Sequence, residues 1–576
     1  MKRILVILII VLHWVATYAQ IIPPIGKSMG RWTDFSLESM KINKEGGLEY
    51  IEITMNDLIG KDTVGVSERA KSLINDIEKS GLKVWSVHMP YSNSLDISAL
   101  DDVKRKNNVQ YMKDMMRVAG IFQPQRIVLH PSSGEVAPED RARRIENSHA
   151  AIGELAAVAK EIGTVLCVEN LPRTGLGKNG EEMMRLIEGY DEVGLCFDIN
   201  HLMYQSHEDY LKSIAEGKIK TVHLSDYNFT NERHLIPGKG LIDNKAVWAG
   251  IKENGYDGIM MFECYGEPAQ LDTARQILLG NIPQPDNSKI DSLAFMNASW
   301  EITDLGKGAQ AMYAQIPMFY STQSVCVVKY PMKKFRTDIL HRPGKTAGKP
   351  SEIGMEVGAA FAMNAGFFHV KQRIPSVYFR EGDEQHGYTH PTELYRVDGV
   401  MGFKDRKGRK AAIEMAADTM QYGAVSKGWN EAMASGPVLI LDGEIAVPLL
   451  MGDKADGANV SAMADEQKQG AKIRTHYSSA QFYDKRHPRA AFGTDDDGNA
   501  YLVVIDGRFK GQADGASIYE TAYICHMLGM TDAINLDGGG STTLWTEKTG
   551  VINHPYDNKK FDHEGERSVP NLIVVY

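Results

Sequence analysis

The chain has 576 residues, too many for one hydrophobic core, so two or more domains are expected. Its formal net charge is -10 and no long basic run is visible, which argues against a general nucleic-acid binder. Five cysteines in so long a chain exclude a disulfide scaffold, and Cys167, Cys196 and Cys264 sit in apolar runs where inert buried thiols belong.

At the N-terminus, Lys2 and Arg3 precede the apolar run ILVILIIVLHWVA, and Thr17-Tyr18-Ala19 offers a cleavage site before Gln20. Residues 1–19 therefore read as a secretory signal peptide, with an uncleaved anchor as the alternative. No cysteine follows for lipidation, and no later segment is long and apolar enough to span a membrane. The expectation is an exported, periplasmic or extracellular protein with no integral membrane segment after cleavage.

Residues 20–280 read as the first domain. Its apolar runs are LEYIEITM (48–55), LKVWSVHMP (82–90), QRIVLHP (125–131), TVLCVEN (164–170), VGLCFDIN (193–200), IKTVHLSD (219–226) and DGIMMFEC (257–264). Amphipathic segments such as ARRIENSHAAIGELAAVAKEIG lie between them. Continuous apolar runs alternating with helices predict a parallel sheet, and the number of runs predicts a TIM barrel with an eighth strand near 27–34. His88, His130, Glu169, Asp198, His223 and Glu263 each stand at the C-terminal end of a run. His201 follows Asp198 by three, and His234 lies in the loop after His223. In a barrel these ends open into one mouth, so the residues form a candidate site for Zn, Mn or Mg holding one to three ions. The packing alternative is that each is a structural residue at a strand end.

The motifs SVHMP, IVLHP, CVEN, FDINH, VHLSD, HLIPGKG and FEC resemble the xylose isomerase-like barrel superfamily, which holds sugar isomerases, epimerases and metal-dependent apurinic endonucleases. The resemblance implies that Glu169, Asp198, His223 and Glu263 hold one metal. It also implies that His88, His130, His201 and His234 match the additional ligands of the trinuclear endonucleases. Glu232 stands two before His234, where those enzymes carry an aspartate, and its longer side chain would change or empty one position.

NIPQPDNSKI (281–290) reads as a linker, and KFRTDILHRPGKTAGKPSEIG (335–354) as a surface loop or mobile cover. Residues 291–576 read as a β-rich second domain with some helices. Its stretch around YLVVIDGR, SIYETAYICHMLGM and AINLDGGGSTT reads strand, helix, strand. A crossover of that kind pairs the strands in parallel, so Asp506 and Asp537 are expected at one sheet edge. The alternative is two tight turns. Asp506 and Asp537 could supply acid, base or metal-ligand chemistry, a divalent cation in this domain included. Asn364, Arg489, Arg508 and Arg567 could donate to phosphate oxygens. Ser517 and Glu520 spell a capping box, which explains Glu520 without catalysis. The final run, NLIVVY, is expected to complete a sheet.

NAGFF, SGPVLI, RHPRAAFGTDDDGNAYLVVIDGR, the LDGGGSTT block and GERSVPN, in that order, resemble the phosphodiester glycosidase family. The resemblance implies hydrolysis of a sugar–phosphate diester on its glycosidic side. It implies catalytic roles among Asn364, Arg489, Asp506, Arg508, Glu520 and Asp537, with Gly366, Gly507, Gly538, Gly539, Ser541, Thr542 and Arg567 lining the pocket. The leading expectation is therefore an exported hydrolase of sugar-1-phosphodiesters fused to a sugar isomerase- or epimerase-like barrel, acting on carbohydrate or sugar phosphate and not on nucleic acid. The alternatives are a metal-dependent isomerase, epimerase or lyase whose second domain binds glycan, and a non-catalytic glycan-binding protein.

Overall fold

The computed structural model describes residues 22–30, 34–60, 63–134, 136–203, 205–229, 232–416, 418–447, 482–483 and 485–576. The expected signal peptide lies outside them. Among the described residues, no helix is long and apolar enough to cross a membrane. The chain divides into two compact units, Met1–Pro285 and Asp286–Tyr576.

The first unit is an eight-stranded parallel barrel. Its strands are β1 (Ile25–Met29), β2 (Tyr50–Thr54), β3 (Lys83–His88), β4 (Arg126–Leu129), β5 (Val165–Glu169), β6 (Gly194–Asp198), β7 (Ile219–His223) and β8 (Met260–Phe262). β1 pairs with both β2 and β8, and a single parallel bridge from Leu224 to Phe262 brings β7 and β8 together. The expected eighth strand is thus β1, two residues earlier than the sequence suggested. Side chains of a strand alternate between faces. Ile51 and Ile53 of β2 join the core under the helices, which turns Glu52 to the barrel interior. Helices such as Asp102–Ala119 and Arg141–Glu161 cover the outside with their apolar faces, and Asp101 caps the former by accepting from Lys104 N–H.

In the second unit an eight-stranded sheet contains the stretches singled out from sequence. Arg489–Thr494 lies between Asn499–Asp506 and Asp532–Asn535 and is antiparallel to both. The two outer strands therefore run in the same direction, but they do not pair as the crossover rule predicts, because a third strand is inserted between them. The consequence for the site survives. Asp506, Asp537 and the start of Arg489–Thr494 all emerge at one edge.

Residues 335–354, expected as a surface loop or mobile cover, instead form regular structure. Thr337–His341 is a strand paired antiparallel with Asn571–Val575, and Pro350–Val357 is a helix. Thr337, Ile339 and Ile353 are buried beneath a charged, proline- and glycine-rich surface composition that hid the pattern. Asn571–Val575 also pairs with Phe361–Asn364, so the last strand sits inside its sheet.

Candidate functional site

Every barrel residue predicted from the strand ends converges at the mouth. Glu169 is the hub: one oxygen meets His88 Nε2 at 3.0 Å and His130 Nε2 at 3.2 Å, and the other meets His223 Nδ1 at 3.3 Å. His223 Nδ1 also lies 2.9 Å from Glu263 and 4.0 Å from Asp198. On the far side of its ring, Nε2 meets Glu52 at 3.0 Å, and Glu52 also accepts from the Ser86 hydroxyl at 2.7 Å. Glu52 went unnoticed in the sequence because it looked like an ordinary position of the run LEYIEITM. The available signal was a carboxylate in an alternating strand that turns its apolar neighbours outward.

Glu232 accepts from both sides of the second cluster. Its Oε1 lies 3.0 Å from His234 Nε2 and 3.7 Å from His201 Nε2, and its Oε2 pairs with Arg173 at 3.1 Å. Four sets of ligand atoms come within 4.8 Å of one another: His88, His130 and Glu169; Glu169, Cys196 and His223; His201, Glu232 and His234; and Glu169, Asp198, His223 and Glu263. Burial pushes the Cys196 thiol well up, so it stays protonated, as expected for an inert cysteine.

The electrostatics favour a cation. Burial opposes a charged His88, yet the Glu169 carboxylate holds it up at about 9. Burial likewise opposes His201, but Asp198 and Glu232 lift it to about 10. Burial raises Asp198 to about 7, while His223 overcomes burial at Glu263 and holds it down at about 2. Imidazolium protons thus balance an excess of buried carboxylates. Asp198 Oδ2 and Glu263 Oε2 are buried oxygens that make no well-directed hydrogen bond among the described residues, although His201 Nε2 lies 3.4 Å from the former and His223 Nδ1 2.9 Å from the latter. Such oxygens are costly unless a cation or donor meets them. The donor set, imidazole with carboxylate, suits Zn²⁺, Mn²⁺ or Mg²⁺. All four ligand sets found among the described residues lie in the barrel, and none lies in the second domain.

The second domain places its predicted residues differently. Asp506 is buried and accepts from Ser324 Oγ (2.8 Å), Asn553 Nδ2 (3.0 Å), the His554 backbone N–H (2.9 Å) and His554 Nδ1 (2.9 Å). Glu520 closes the predicted capping box with Ser517 and takes a two-pronged pair from Arg486, with Nη2 at 2.6 Å from one oxygen and Nε at 3.0 Å from the other. Arg489, also buried, donates to the Ala516, Phe482 and Lys485 carbonyls, and burial lowers it to about 9. Asn364 donates to the Asp537 carbonyl at 2.6 Å and accepts from Thr543 N–H at 3.0 Å. Gly366 N–H donates to Asn571 Oδ1 at 2.7 Å. These groups shape the edge and hold its loops.

Asp537 is the carboxyl left at the surface of that edge, half-buried. Burial pushes it up to about 6, offset in part by the guanidinium of Arg396, the Ser541 hydroxyl and Arg567. Arg396 escaped the sequence reading; it stacks on Phe367 at 4.0 Å and donates to Glu393 at 2.6 Å. Gly507 and Gly538 pack against the His487–Pro488 backbone, where a side chain would collide. At Gly540 a side chain would strike the Arg567 guanidinium, and Gly539, at φ +66°, lies beside Arg508. Thr542 and Thr543 follow with buried hydroxyls that have no partner among the described residues. The edge therefore joins one raised carboxyl to three arginines on a glycine turn.

Comparison with known proteins divides the chain in the same way. Residues 41–282 match the family described as xylose isomerase-like TIM barrel, and residues 357–576 match the family described as phosphodiester glycosidase. An uncharacterised protein of Methanocaldococcus jannaschii is 28% identical over 186 residues, which are 31% of this chain and 63% of that protein. An inosose dehydratase of Lacticaseibacillus casei is 30% identical over 132 residues, 19% of this chain and 44% of the dehydratase. This chain therefore spans less than two thirds of either relative. A solved structure described as a D-tagatose 3-epimerase-like protein aligns with a TM-score of 0.39 and 23% identity, covering 45% of this chain and 96% of its own.

Proposed function

We propose that this chain, which joins a xylose isomerase-like barrel to a phosphodiester glycosidase-family domain, uses the barrel to move a proton at the carbon beside a carbonyl in a keto sugar or keto polyol. Epimerisation and dehydration of such compounds share that step. The observation that carries the reading is the convergence of Glu169, Asp198, His223 and Glu263, whose ligand atoms all lie within 4.8 Å of one another. A divalent cation held by these four residues would polarise the substrate carbonyl and acidify the neighbouring C–H. Glu52 holds the His223 ring so that Nδ1 faces the cluster. Glu263 has an 18% exposed side chain, against 0–1% for the other three, so it is the carboxylate that reaches a substrate and takes the proton.

The test is solvent-deuterium exchange on a panel of ketohexoses and inososes. The wild type should exchange one carbon-bound hydrogen, and chelator-treated protein and Glu263→Gln should not. Exchange that survives chelation unchanged would sink the reading.

A second reading is supported by the raised Asp537 carboxyl among Arg396, Arg508 and Arg567. There the second domain hydrolyses a sugar-1-phosphodiester. The arginines donate to the phosphate and Asp537 is the general acid, the role suited to a carboxyl raised by burial. Hydrolysis should then fall as pH rises through about 6. Asp537→Ala should abolish sugar release while circular dichroism stays unchanged; full activity in that variant would exclude this reading.

A further inference from the structure

We propose that Asp506 and His554 form a carboxylate–imidazole pair in which His554 is a catalytic base of the second domain and Asp506 its positioning residue. The inference rests on the phosphodiester glycosidase reading of that domain. Asp506 was singled out in the sequence as a candidate acid or base, yet its oxygens already accept from Ser324, Asn553 and His554. A carboxylate so occupied orients other groups. It receives His554 Nδ1 at 2.9 Å, and since a carboxylate only accepts, Nδ1 carries a hydrogen, which leaves Nε2 as the ring nitrogen that can take a proton. The ring is held flat against Phe561, with centroids 3.7 Å apart and planes 7° apart, and its side chain is 11% exposed. Among the described residues, Nε2 has no hydrogen-bond partner, while Nδ1 is engaged.

The pair belongs to the Asp537 edge. Asn553 donates to the Thr542 carbonyl at 3.2 Å and accepts from Leu544 N–H at 2.8 Å, so the segment bearing His554 is stitched to the turn after Asp537. Tyr556, two residues beyond His554, lies 5.2 Å under the Arg508 guanidinium, which reaches Gly539. Asp557 pairs with Arg567, which lies against Gly540. The 553–557 segment thus lines the same arginine-rich turn.

The chemistry asks for such a base. A phosphomonoester is a good leaving group once arginines share its charge, so activating water is the larger need. His554 Nε2 takes a proton from water as the water oxygen bonds to the anomeric carbon. The bond from that carbon to the phosphate oxygen breaks, and its electron pair leaves with the phosphate. The products are free sugar and a phosphomonoester, and His554 returns its proton to solvent.

The experiment uses the full chain and the benzyl phosphodiester of N-acetylglucosamine 1-phosphate. His554→Asn keeps a donor towards Asp506 but has no second ring nitrogen, so the fold is preserved while the base is removed. We expect its kcat to fall about 10²–10⁴-fold with KM little changed, the acidic limb of the pH–rate profile to vanish, and added imidazole to restore part of the rate. Asp506→Asn should shift that acidic limb. If His554→Asn keeps the wild-type rate and profile while Asp537→Ala is inactive, the inference fails and the glycosidase reading stands. If the wild type cleaves neither this diester nor other sugar-1-phosphodiesters, the reading and the inference fail together.

Discussion

Glu52 shows how a single side chain can matter without announcing itself. It lies in a short apolar strand and is hydrogen-bonded to His223, whose ring it fixes from behind. Groups that orient a metal-binding histidine in this way contribute about 10–100-fold in affinity. Glu52→Gln should therefore weaken divalent-metal binding by about that factor, read by isothermal titration, while the four ligands stay in place. Asp537 supports a prediction with a definite sign. Its folded value of about 6 lies above the ordinary carboxylate value of 3.8, so the folded state binds the proton more readily than the unfolded one. The second domain should lose stability as pH rises from about 4 through about 6, by about 1–3 kcal/mol at most. Asp537→Asn should remove that slope in urea unfolding followed at several pH values. His554 and Arg396 carry no motif logic of their own. They lie in connecting segments, and their neighbours reach them from distant parts of the chain.

At the scale of the element, the helix Ile518–Met527 separates a structural carboxylate from a chemical one. Ser517 and Glu520 were legible as a capping box because cap chemistry is local, and the structure shows both halves of the box closed. The sequence held no sign of Arg486 as the further partner of Glu520. Ser517→Ala should cost the second domain about 1 kcal/mol. Glu520→Ala removes the carboxylate paired with the half-buried Arg486 as well as its half of the cap, so it should cost more than Ser517→Ala. A catalytic Glu520 would instead lose activity with no loss of stability, so denaturant midpoints and rates measured on the same variant distinguish the roles. Thr337–His341 teaches the opposite lesson. Its strand is set by pairing with Asn571–Val575 more than two hundred residues away, and its local composition pointed to a loop.

At the scale of the whole molecule, the proposed readings give the two units separate chemistries, so chelation should abolish deuterium exchange and leave phosphodiester hydrolysis unchanged. Parallel loss of both activities on chelation would show a cation in the second site too. We propose from the N-terminal run that the protein is exported: fractionation of cells expressing the full chain should then recover it outside the cytoplasm with its N-terminus at Gln20, and recovery of the uncleaved chain in the cytoplasm would exclude this. The barrel, the resemblance of the second domain to the phosphodiester glycosidases and the metal-type residues at the mouth were legible from the residues alone. The mouth was legible because a parallel barrel brings every strand's C-terminal end to one face, so order along the chain becomes proximity in space. Only the tertiary structure decided that a third strand separates the two that end near Asp506 and Asp537, that Asp506 is bonded to His554, and that Arg396 joins Asp537. Those contacts link residues far apart in sequence through antiparallel sheets and irregular loops, where no fixed period or spacing records who meets whom.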